Sequence, residues 1–224
     1  MRHGLELFDA DGRVWLRLTG AAYWRFYLPF GEVNFFGPKD HYFLSQRVAA
    51  GCFYLDPPLD LRQPVLRASG VRVSMTAREI AAYRNVPETE RDDWFFGRLV
   101  AKDAVRAACV AKHGDAFFPA DIETDVAGGR FVCRPRGDTG ETFPPVAVTI
   151  VDGRVAAFSA FADRVGVGLV LVPKGTESDA ALRERVASLA VTDALGGPAD
   201  ARRYKVDVVR HKDAIVATTT LEPA

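Results

Sequence analysis

A long and almost wholly apolar helical stretch dominates this sequence. The segment WFFGRLVAKDAVR spans residues 94–106, and its helical pattern continues to about Lys112, before Gly114 as a C-terminal stop. A helix that is apolar nearly all round is normally buried. We therefore expect a helix over residues 90–113 to lie at the centre of a domain. Its apolar positions are Trp94, Phe95, Leu99, Val100, Val105, Ala108 and Cys109.

Three cations interrupt this apolar surface at helical spacing. Arg98, Lys102 and Arg106 form one row, in which like charges at i and i+4 repel. Asp103 can offset Arg106 three residues away, but Lys102 has no acidic partner within the helix. One interpretation is a solvated stripe whose aliphatic stems cover apolar surface. The other is a nearby anion, either protein carboxylates or the phosphate of a ligand.

Composition excludes several classes of protein. The 224 residues carry 29 basic and 29 acidic side chains, whereas nucleic-acid binders normally have a basic excess. No run of 18 apolar residues and no signal peptide are present, which predicts a cytoplasmic protein without a membrane span. Cys52, Cys109 and Cys133 lack a CxxC spacing and are predicted to be reduced thiols. The four histidines show no metal-ligand spacing.

The residues before the central helix mix strands and one short helix. GLELFD and RVWLRL alternate around a turn and predict a hairpin, followed by the aromatic run AYWRFYLP. VLRASGVRVSM is predicted to be another strand or a turn pair. Thr76 and Glu79 form a capping box that begins a short helix ended by Pro87. Thr89 and Asp92 form a second, weaker capping box before the central helix.

The residues after Gly114 alternate between hairpins and a helix. ADIETDV with RFVCRP, and VAVTI with RVAAFSAF, are predicted strand pairs, and VGVGLVLV is a buried strand. Helical spacing covers residues 178–195, and YKVDVV and AIVATTTL close the chain as strands. We expect the central helix to pack on a sheet built from residues 146–150, 154–160 and 165–172. This order predicts an α+β fold of two similar units.

The order of these motifs resembles that of a known enzyme family. WFFGRLVAKDAVR, PADIE, PPVAVTIVDGRVAAF and VGVGLVLV, in this order, are similar to motifs of the 4'-phosphopantetheinyl transferases. The similarity is greatest to the C-terminal transferase-like regions of iterative type I polyketide synthases. DADGRVWLRLTG and YWRFYLP resemble the segment that joins a dehydratase region to that transferase.

The resemblance implies a fold and a reaction. The family has two pseudo-symmetric α/β halves, and it transfers phosphopantetheine from coenzyme A to a serine of an acyl carrier protein with the help of Mg²⁺. By this resemblance, residues 76–224 are the phosphopantetheinyl-transferase-like domain, and residues 1–75 are a β-rich N-terminal segment packed on it. Arg98, Lys102 and Arg106 are the candidate cofactor-binding residues.

The sequence departs from the family pattern at the positions that hold the metal and the coenzyme. Where the family has V-G-I-D-L-E, this chain has Gly168 in place of the metal-binding Asp and Val170 in place of the Glu. Thr149-Ile150 replace a Ser-His pair, and Leu189 stands at the Glu of K-E-A. Such side chains cannot coordinate Mg²⁺, which requires oxygen ligands. Three carboxylates elsewhere are candidates for compensation, namely Asp152, Asp163 and Glu177.

These departures lead us to expect a non-catalytic protein. We predict no catalytic residue, no metal site and no bound cofactor. The expected role is a carrier-protein-binding or structural module in polyketide or fatty-acid synthesis, with an acyl carrier protein or another assembly-line domain as partner. The alternative is an active transferase that uses coenzyme A and Mg²⁺. A dehydratase remnant within residues 1–75, centred on Asp40 and His41, is a third alternative from another class of enzyme.

Overall fold

The structure is a computed structural model that describes residues 3–8, 14–21, 43–114, 117–137, 142–172, 179–198 and 204–221. The aromatic run AYWRFYLP and the residues Asp40, His41 and Glu177 lie outside this range. The helices are α1 (Leu59–Arg62), α2 (Pro64–Ser74), α3 (Ala77–Tyr83), α4 (Arg91–His113) and α5 (Asp179–Leu195). The strands are β1 (His3–Phe8), β2 (Val14–Ala21), β3 (Gln46–Ala49), β4 (Cys52–Leu55), β5 (Ile122–Ala127), β6 (Arg130–Pro135), β7 (Val146–Val151), β8 (Arg154–Ser159), β9 (Arg164–Leu171), β10 (Val206–His211) and β11 (Ala214–Leu221).

The predicted central helix is confirmed as α4. It ends where the sequence predicts, because Gly114 adopts the left-handed conformation (φ 75°) and donates its N–H to the carbonyl of Val110 at 3.0 Å. The expected capping box at Thr89 and Asp92 is wrong, since residues 88–90 form a 3-10 turn and the helix has no side-chain cap. The carboxylate of Asp92 instead binds the guanidinium of Arg67.

Helix α4 lies against an antiparallel sheet in the order β3-β4-β8-β7. Phe95, Phe96 and Leu99 of the helix are buried in one apolar cluster with Phe53 and Val155 of the sheet. The expectation that the apolar face of this helix is buried is therefore confirmed. The hairpins β1–β2, β5–β6, β7–β8 and β10–β11 are also confirmed.

The prediction of strands in VLRASGVRVSM is wrong, because these residues belong to helix α2. Pro64 occupies the first turn of that helix, where a proline costs no hydrogen bond. The buried positions Arg67, Gly70, Val71 and Ser74 follow helical spacing. Gly70 lets this helix approach α4, since a Cβ at Gly70 would lie 2.8 Å from the ring of Phe95.

A second antiparallel sheet has the order β10-β11-β9, and α5 packs on it. Strand β9 therefore does not join β7 and β8 in one sheet, contrary to the sequence-based expectation. Val165, Val167 and Leu169 face the first sheet, whereas Val170 packs in a cluster with α5. Because both faces of β9 are apolar, its side-chain pattern does not specify which strand it pairs with.

The fold is α+β, with two halves that each place a helix on a sheet. The described core has four layers, namely α4, the first sheet, the second sheet and α5. Small side chains such as Ala147, Ala156 and Ala214 fill the space between the sheets. Residues between 43 and 75 contribute to this core, because β4 is an inner strand and Val71 of α2 packs in the α4 cluster.

Two expectations based on composition, on membrane spans and on cysteines, can be compared with the described residues. No helix in the described ranges has the length and apolar character to cross a lipid bilayer. The three cysteines, all of which are described, are buried and form no disulfide.

Truncation of the α4 core should destabilise the protein. Leu99 is 0% exposed, so the change Leu99→Ala should lower the free energy of unfolding by about 3 kcal/mol through lost burial and the cavity left behind. The matched control is Leu59→Ala, because Leu59 is 83% exposed and its loss should cost less than about 0.5 kcal/mol. Urea unfolding monitored by circular dichroism measures both values, and equal losses would contradict the placement of α4.

Candidate functional site

Lys102 lies in the protein interior, so the solvated-stripe interpretation is wrong for this residue. Its side chain is 0% exposed, and Nζ lies 2.7 Å from Oε2 of Glu79 and 3.0 Å from the carbonyl oxygen of Ser74. Helices α2 and α3 supply these groups and pack against α4, which removes the ammonium from water. The nearby anion that the sequence left open is here a protein carboxylate.

Glu79 serves both the helix cap and this ion pair. It accepts hydrogen bonds from the main-chain N–H of Thr76 at 2.7 Å and of Thr124 at 3.0 Å, which confirms the capping box and ties α3 to β5. Burial alone would raise the pKa of Glu79. The charge of Lys102 and the hydrogen bonds from Lys102 and Thr124 outweigh burial and hold that pKa below its ordinary value.

Arg106 and Asp103 form a second buried ion pair. Nη1 of Arg106 lies 3.0 Å from Oδ1 of Asp103, and its Nε donates to the carbonyl oxygen of Phe117 at 2.5 Å. The other carboxylate oxygen, Oδ2, accepts from the main-chain N–H groups of Leu44 and Ser45 and from the Ser45 hydroxyl at 2.7–2.8 Å. Burial raises the pKa of Asp103, although Arg106 and Ser45 oppose the change.

Arg98 is held by aromatic rings. Its guanidinium lies 3.9 Å from the ring centroid of Trp94 and 5.8 Å from that of Phe131, and Nη1 donates to the carbonyl oxygen of Trp94 at 3.2 Å. Desolvation lowers the pKa of Arg98, and its buried Nε has no partner among the described residues.

The three cations thus share a row on α4 but not a common ligand surface. Two carboxylates of the PADIE motif bind other groups. Asp121 accepts from the N–H of Phe118 at 2.9 Å, and Glu123 lies 2.6 Å from Nη1 of Arg78. Binding of coenzyme A by Arg98, Lys102 and Arg106 stays a prediction, and it would require a ligand to reach groups that protein atoms already surround.

The lowered pKa of Glu79 gives the stability a specific dependence on pH. A carboxyl group whose pKa is lower in the folded chain adds stability above its unfolded pKa and loses it as the pH falls through the folded pKa. The difference in free energy of unfolding between the wild type and Glu79→Gln should therefore be constant near neutral pH. It should shrink below about pH 4.3, the ordinary value for glutamate. Urea unfolding at a series of pH values tests this, and a difference that persists into acid would contradict it.

The positions aligned with the metal carboxylates do come together in space. A Cβ at Gly168 would lie 3.0 Å from the Cβ of Leu189, which places these two positions side by side. It would also lie only 2.4 Å from the carbonyl oxygen of Val186, so α5 fills the space in which a longer side chain would extend. Val170 is buried in the apolar cluster between β9 and α5. Leu189 is 43% exposed, so the carboxylate of a glutamate at this position could stay in contact with water.

These residues do not fit Mg²⁺. The aligned positions offer hydrocarbon and one tightly packed glycine, and Mg²⁺ needs near-octahedral oxygen ligands at about 2.1 Å. Asp193, aligned with the second Lys of the family motif, uses Oδ2 to accept the N–H of Val167 at 3.0 Å. Ile150, aligned with the coenzyme-contacting histidine, packs toward α4, where its Cδ1 would lie 3.3 Å from a Cβ at Gly97.

The two compensating carboxylates that the structure describes do not converge. Asp152 lies in the turn between β7 and β8 with a left-handed φ of 49°, and Asp163 is exposed beyond the other end of β8. At about 3.3 Å per residue, the six-residue strand between them separates the two by roughly 20 Å. In the described ranges, no three His, Cys, Asp or Glu side chains are grouped as metal ligands.

A groove that the sequence did not reveal lies beside the C-terminal end of α4. It has a volume of about 820 Å³, and we call it the alanine groove after its most frequent residue. Residues from both halves line it, namely Arg47, Ala49, Ala50, Gly51, Ala107, Ala108, Ala111, Lys112, Phe158, Ser159, Ala160, Phe161, Asp207, Val208, Val209 and Thr218. No motif marks it, because its alanines read as ordinary helix and strand residues.

Comparisons with known proteins add a structural likeness at low similarity. No protein-family model matches the chain, and no curated protein matches it significantly. Among solved structures, the chain is similar to the crystal structure of Thermotoga maritima holo-[acyl-carrier-protein] synthase, with 16% sequence identity. The match covers 79% of this chain and 85% of the synthase, and its TM-score of 0.36 is too low to assign a function.

Proposed function

We propose that this chain is a non-catalytic relative of the 4'-phosphopantetheinyl transferases. Its role would be that of a carrier-protein-binding or structural module in polyketide or fatty-acid synthesis. The order of the motifs WFFGRLVAKDAVR, PADIE and VGVGLVLV supports the relationship. The polyketide context rests on the sequence resemblance alone.

The contact between Gly168 and α5 is the observation that carries the proposal. A transferase of this family needs a carboxylate at this position to hold a divalent ion against the pyrophosphate of coenzyme A. In this protein a Cβ at Gly168 would lie 2.4 Å from the carbonyl oxygen of Val186, which is too close for a side chain to be accommodated. The position therefore contributes to helix–sheet packing, and restoring a metal ligand would require α5 to move.

The buried ion pairs of α4 support a structural role for the cationic row. The pair between Lys102 and Glu79 joins α4 to α3, and Asp103 joins α4 to the chain just before β3. A charge buried in this way is costly unless its partner stays in place. Cations that hold the core together are poorly suited to capture a mobile phosphate.

A transfer assay tests the proposal directly. The protein is incubated with coenzyme A, Mg²⁺ and an apo acyl carrier protein, and the carrier is weighed by mass spectrometry. We expect no gain of phosphopantetheine, while an active transferase of the family modifies the same carrier in a parallel reaction. Modification by this chain would establish the alternative, an active transferase, and overturn the proposal.

Calorimetry with the apo carrier distinguishes the two non-catalytic roles. Saturable binding of the carrier without coenzyme A would assign carrier recognition. No binding of the carrier would assign a structural role. Calorimetry with coenzyme A, with and without Mg²⁺, supplies a second check. Micromolar binding that depends on Mg²⁺ would contradict a non-catalytic protein.

A further inference from the structure

The alanine groove is large enough to hold a small molecule. Its volume of about 820 Å³ falls in the range of small-molecule pockets, about 300–1,000 Å³. Ala107, Ala108 and Ala111 form one wall, where larger side chains on α4 would fill the space. Phe158 and Phe161 supply aromatic surface, and most of the lining is apolar.

A glycine in the turn between β3 and β4 allows this turn to approach the end of β8. Gly51, in the turn between β3 and β4, has a φ of 66°, and its carbonyl accepts the N–H of Ser159 at 3.1 Å. A Cβ at Gly51 would lie 2.4 Å from the carbonyl oxygen of Ser159. The turn therefore comes close to the end of β8, and both segments line the groove.

A few polar groups converge on this apolar surface. Arg47 and Lys112 are exposed at the groove, and neither forms an ion pair with a carboxylate of the described residues. The ammonium of Lys112 lies 3.9 Å from the ring centroid of Phe161. Asp207 is the one acidic residue in the lining, so the groove carries a net positive charge.

Thr218 adds a hydrogen-bonding group inside the groove. Its side chain is 7% exposed and lines the groove. A hydroxyl can donate one hydrogen bond and accept others. The hydroxyl and the two cations together offer donors to an anionic oxygen.

We propose that the alanine groove binds a small amphipathic carboxylate, a hydrocarbon chain with an anionic end. The alanine wall and the two phenylalanine rings accommodate the hydrocarbon. Arg47 and Lys112 attract the carboxylate, since a guanidinium matches the geometry of two carboxylate oxygens.

This site is distinct from the positions aligned with the metal carboxylates. Thr218 pairs with Val167, and both side chains lie on the face of the second sheet that is turned toward the first sheet. Gly168 is on the opposite face, against α5. Binding in the groove therefore depends neither on Mg²⁺ nor on the proposed relationship to the transferases.

Titration of the full chain with two ligands of equal chain length tests the proposal. Decanoate and decyltrimethylammonium share a ten-carbon chain and carry opposite charges, and calorimetry below their micelle concentrations gives both dissociation constants. We expect decanoate to bind at least tenfold more tightly, with an affinity that falls as salt is added. Equal affinities, or no binding of decanoate, would overturn the proposal.

Variants locate the binding in the groove. Ala111→Leu adds bulk to an exposed wall position with little loss of helix propensity and should weaken decanoate binding roughly tenfold or more. Thr218→Val, which preserves shape, should weaken it roughly three- to tenfold. The double change Arg47→Gln and Lys112→Gln should remove the preference for decanoate over the cationic ligand.

The control is Arg72→Gln, which removes an exposed cation on α2, away from the groove lining. It should leave both dissociation constants unchanged. Thermal unfolding of each variant confirms that it is folded before titration. If Ala111→Leu binds decanoate as the wild type does while remaining folded, the ligand lies elsewhere and the assignment to the groove is wrong.

Discussion

Replacing Lys102 with methionine should lower the free energy of unfolding by about 3–5 kcal/mol. Methionine preserves most of the aliphatic volume but removes the ammonium that lies 2.7 Å from Glu79. The carboxylate of Glu79 is itself 3% exposed, so the variant leaves a buried charge without its counterion. The cost comes mainly from that orphaned carboxylate rather than from the loss of attraction.

A double-mutant cycle separates these contributions. Glu79→Gln alone leaves the ammonium buried and should also be costly, whereas the double variant Lys102→Met with Glu79→Gln should recover a large part of the loss. Denaturant unfolding of the four proteins gives the coupling free energy. Arg78→Ala is the control, because its pair with Glu123 is exposed and should be worth less than about 1 kcal/mol. A similar small loss for Lys102→Met would contradict its buried position.

Introducing aspartate at Gly168 should destabilise the protein by roughly 4 kcal/mol or more without creating metal affinity. The first carbon of the new side chain would lie 2.4 Å from the carbonyl oxygen of Val186, which is a main-chain atom that cannot rotate away. Overpacking of a core typically costs about 1–3 kcal/mol, and a carboxylate placed beside a carbonyl oxygen without a partner adds a comparable amount.

Matched substitutions isolate the effect of the close contact. Gly197→Asp adds the same side chain where no atom lies within 4 Å of the new Cβ, and Leu189→Glu adds a carboxylate at a position that is 43% exposed. Both should change stability by less than about 1 kcal/mol. Mg²⁺ affinity is measured by calorimetry on every variant that folds. Micromolar Mg²⁺ binding by Gly168→Asp, with stability retained, would show that α5 can leave room for a metal site.

The sequence predicts the elements of this fold better than their arrangement. Apolar spacing and Gly114 predict α4, and the turn at Asp152 and Gly153 predicts the β7–β8 hairpin, because these signals are local. The wrong predictions concern features that a local pattern does not determine. The short apolar run of α2 also fits the alternation of a strand, and the pattern of β9 does not identify its sheet because strand pairing depends on distant residues.

The candidate site shows the same contrast between local patterns, which the sequence predicts, and contacts between distant residues, which it does not. The cationic row can be read directly from its spacing, but the partners of Lys102 lie on α2 and α3, well before α4 in sequence. Burial of an ion pair is a property of the assembled layers, so no local pattern distinguishes it from a solvated stripe. The close contact at Gly168 has the same origin, since it depends on where α5 lies.

The position of β4 inside the first sheet determines when that sheet can form. Strand β4 pairs with β8, although α1 to α4 and β5 to β7 separate them along the chain. A growing chain therefore leaves one edge of β4 unpaired until β8 emerges, while the second half assembles from neighbouring strands and α5. Long-range pairing of this kind slows folding and favours association with other chains in the interval. Synthesis stopped before residue 154 should thus yield a product that chaperones must hold.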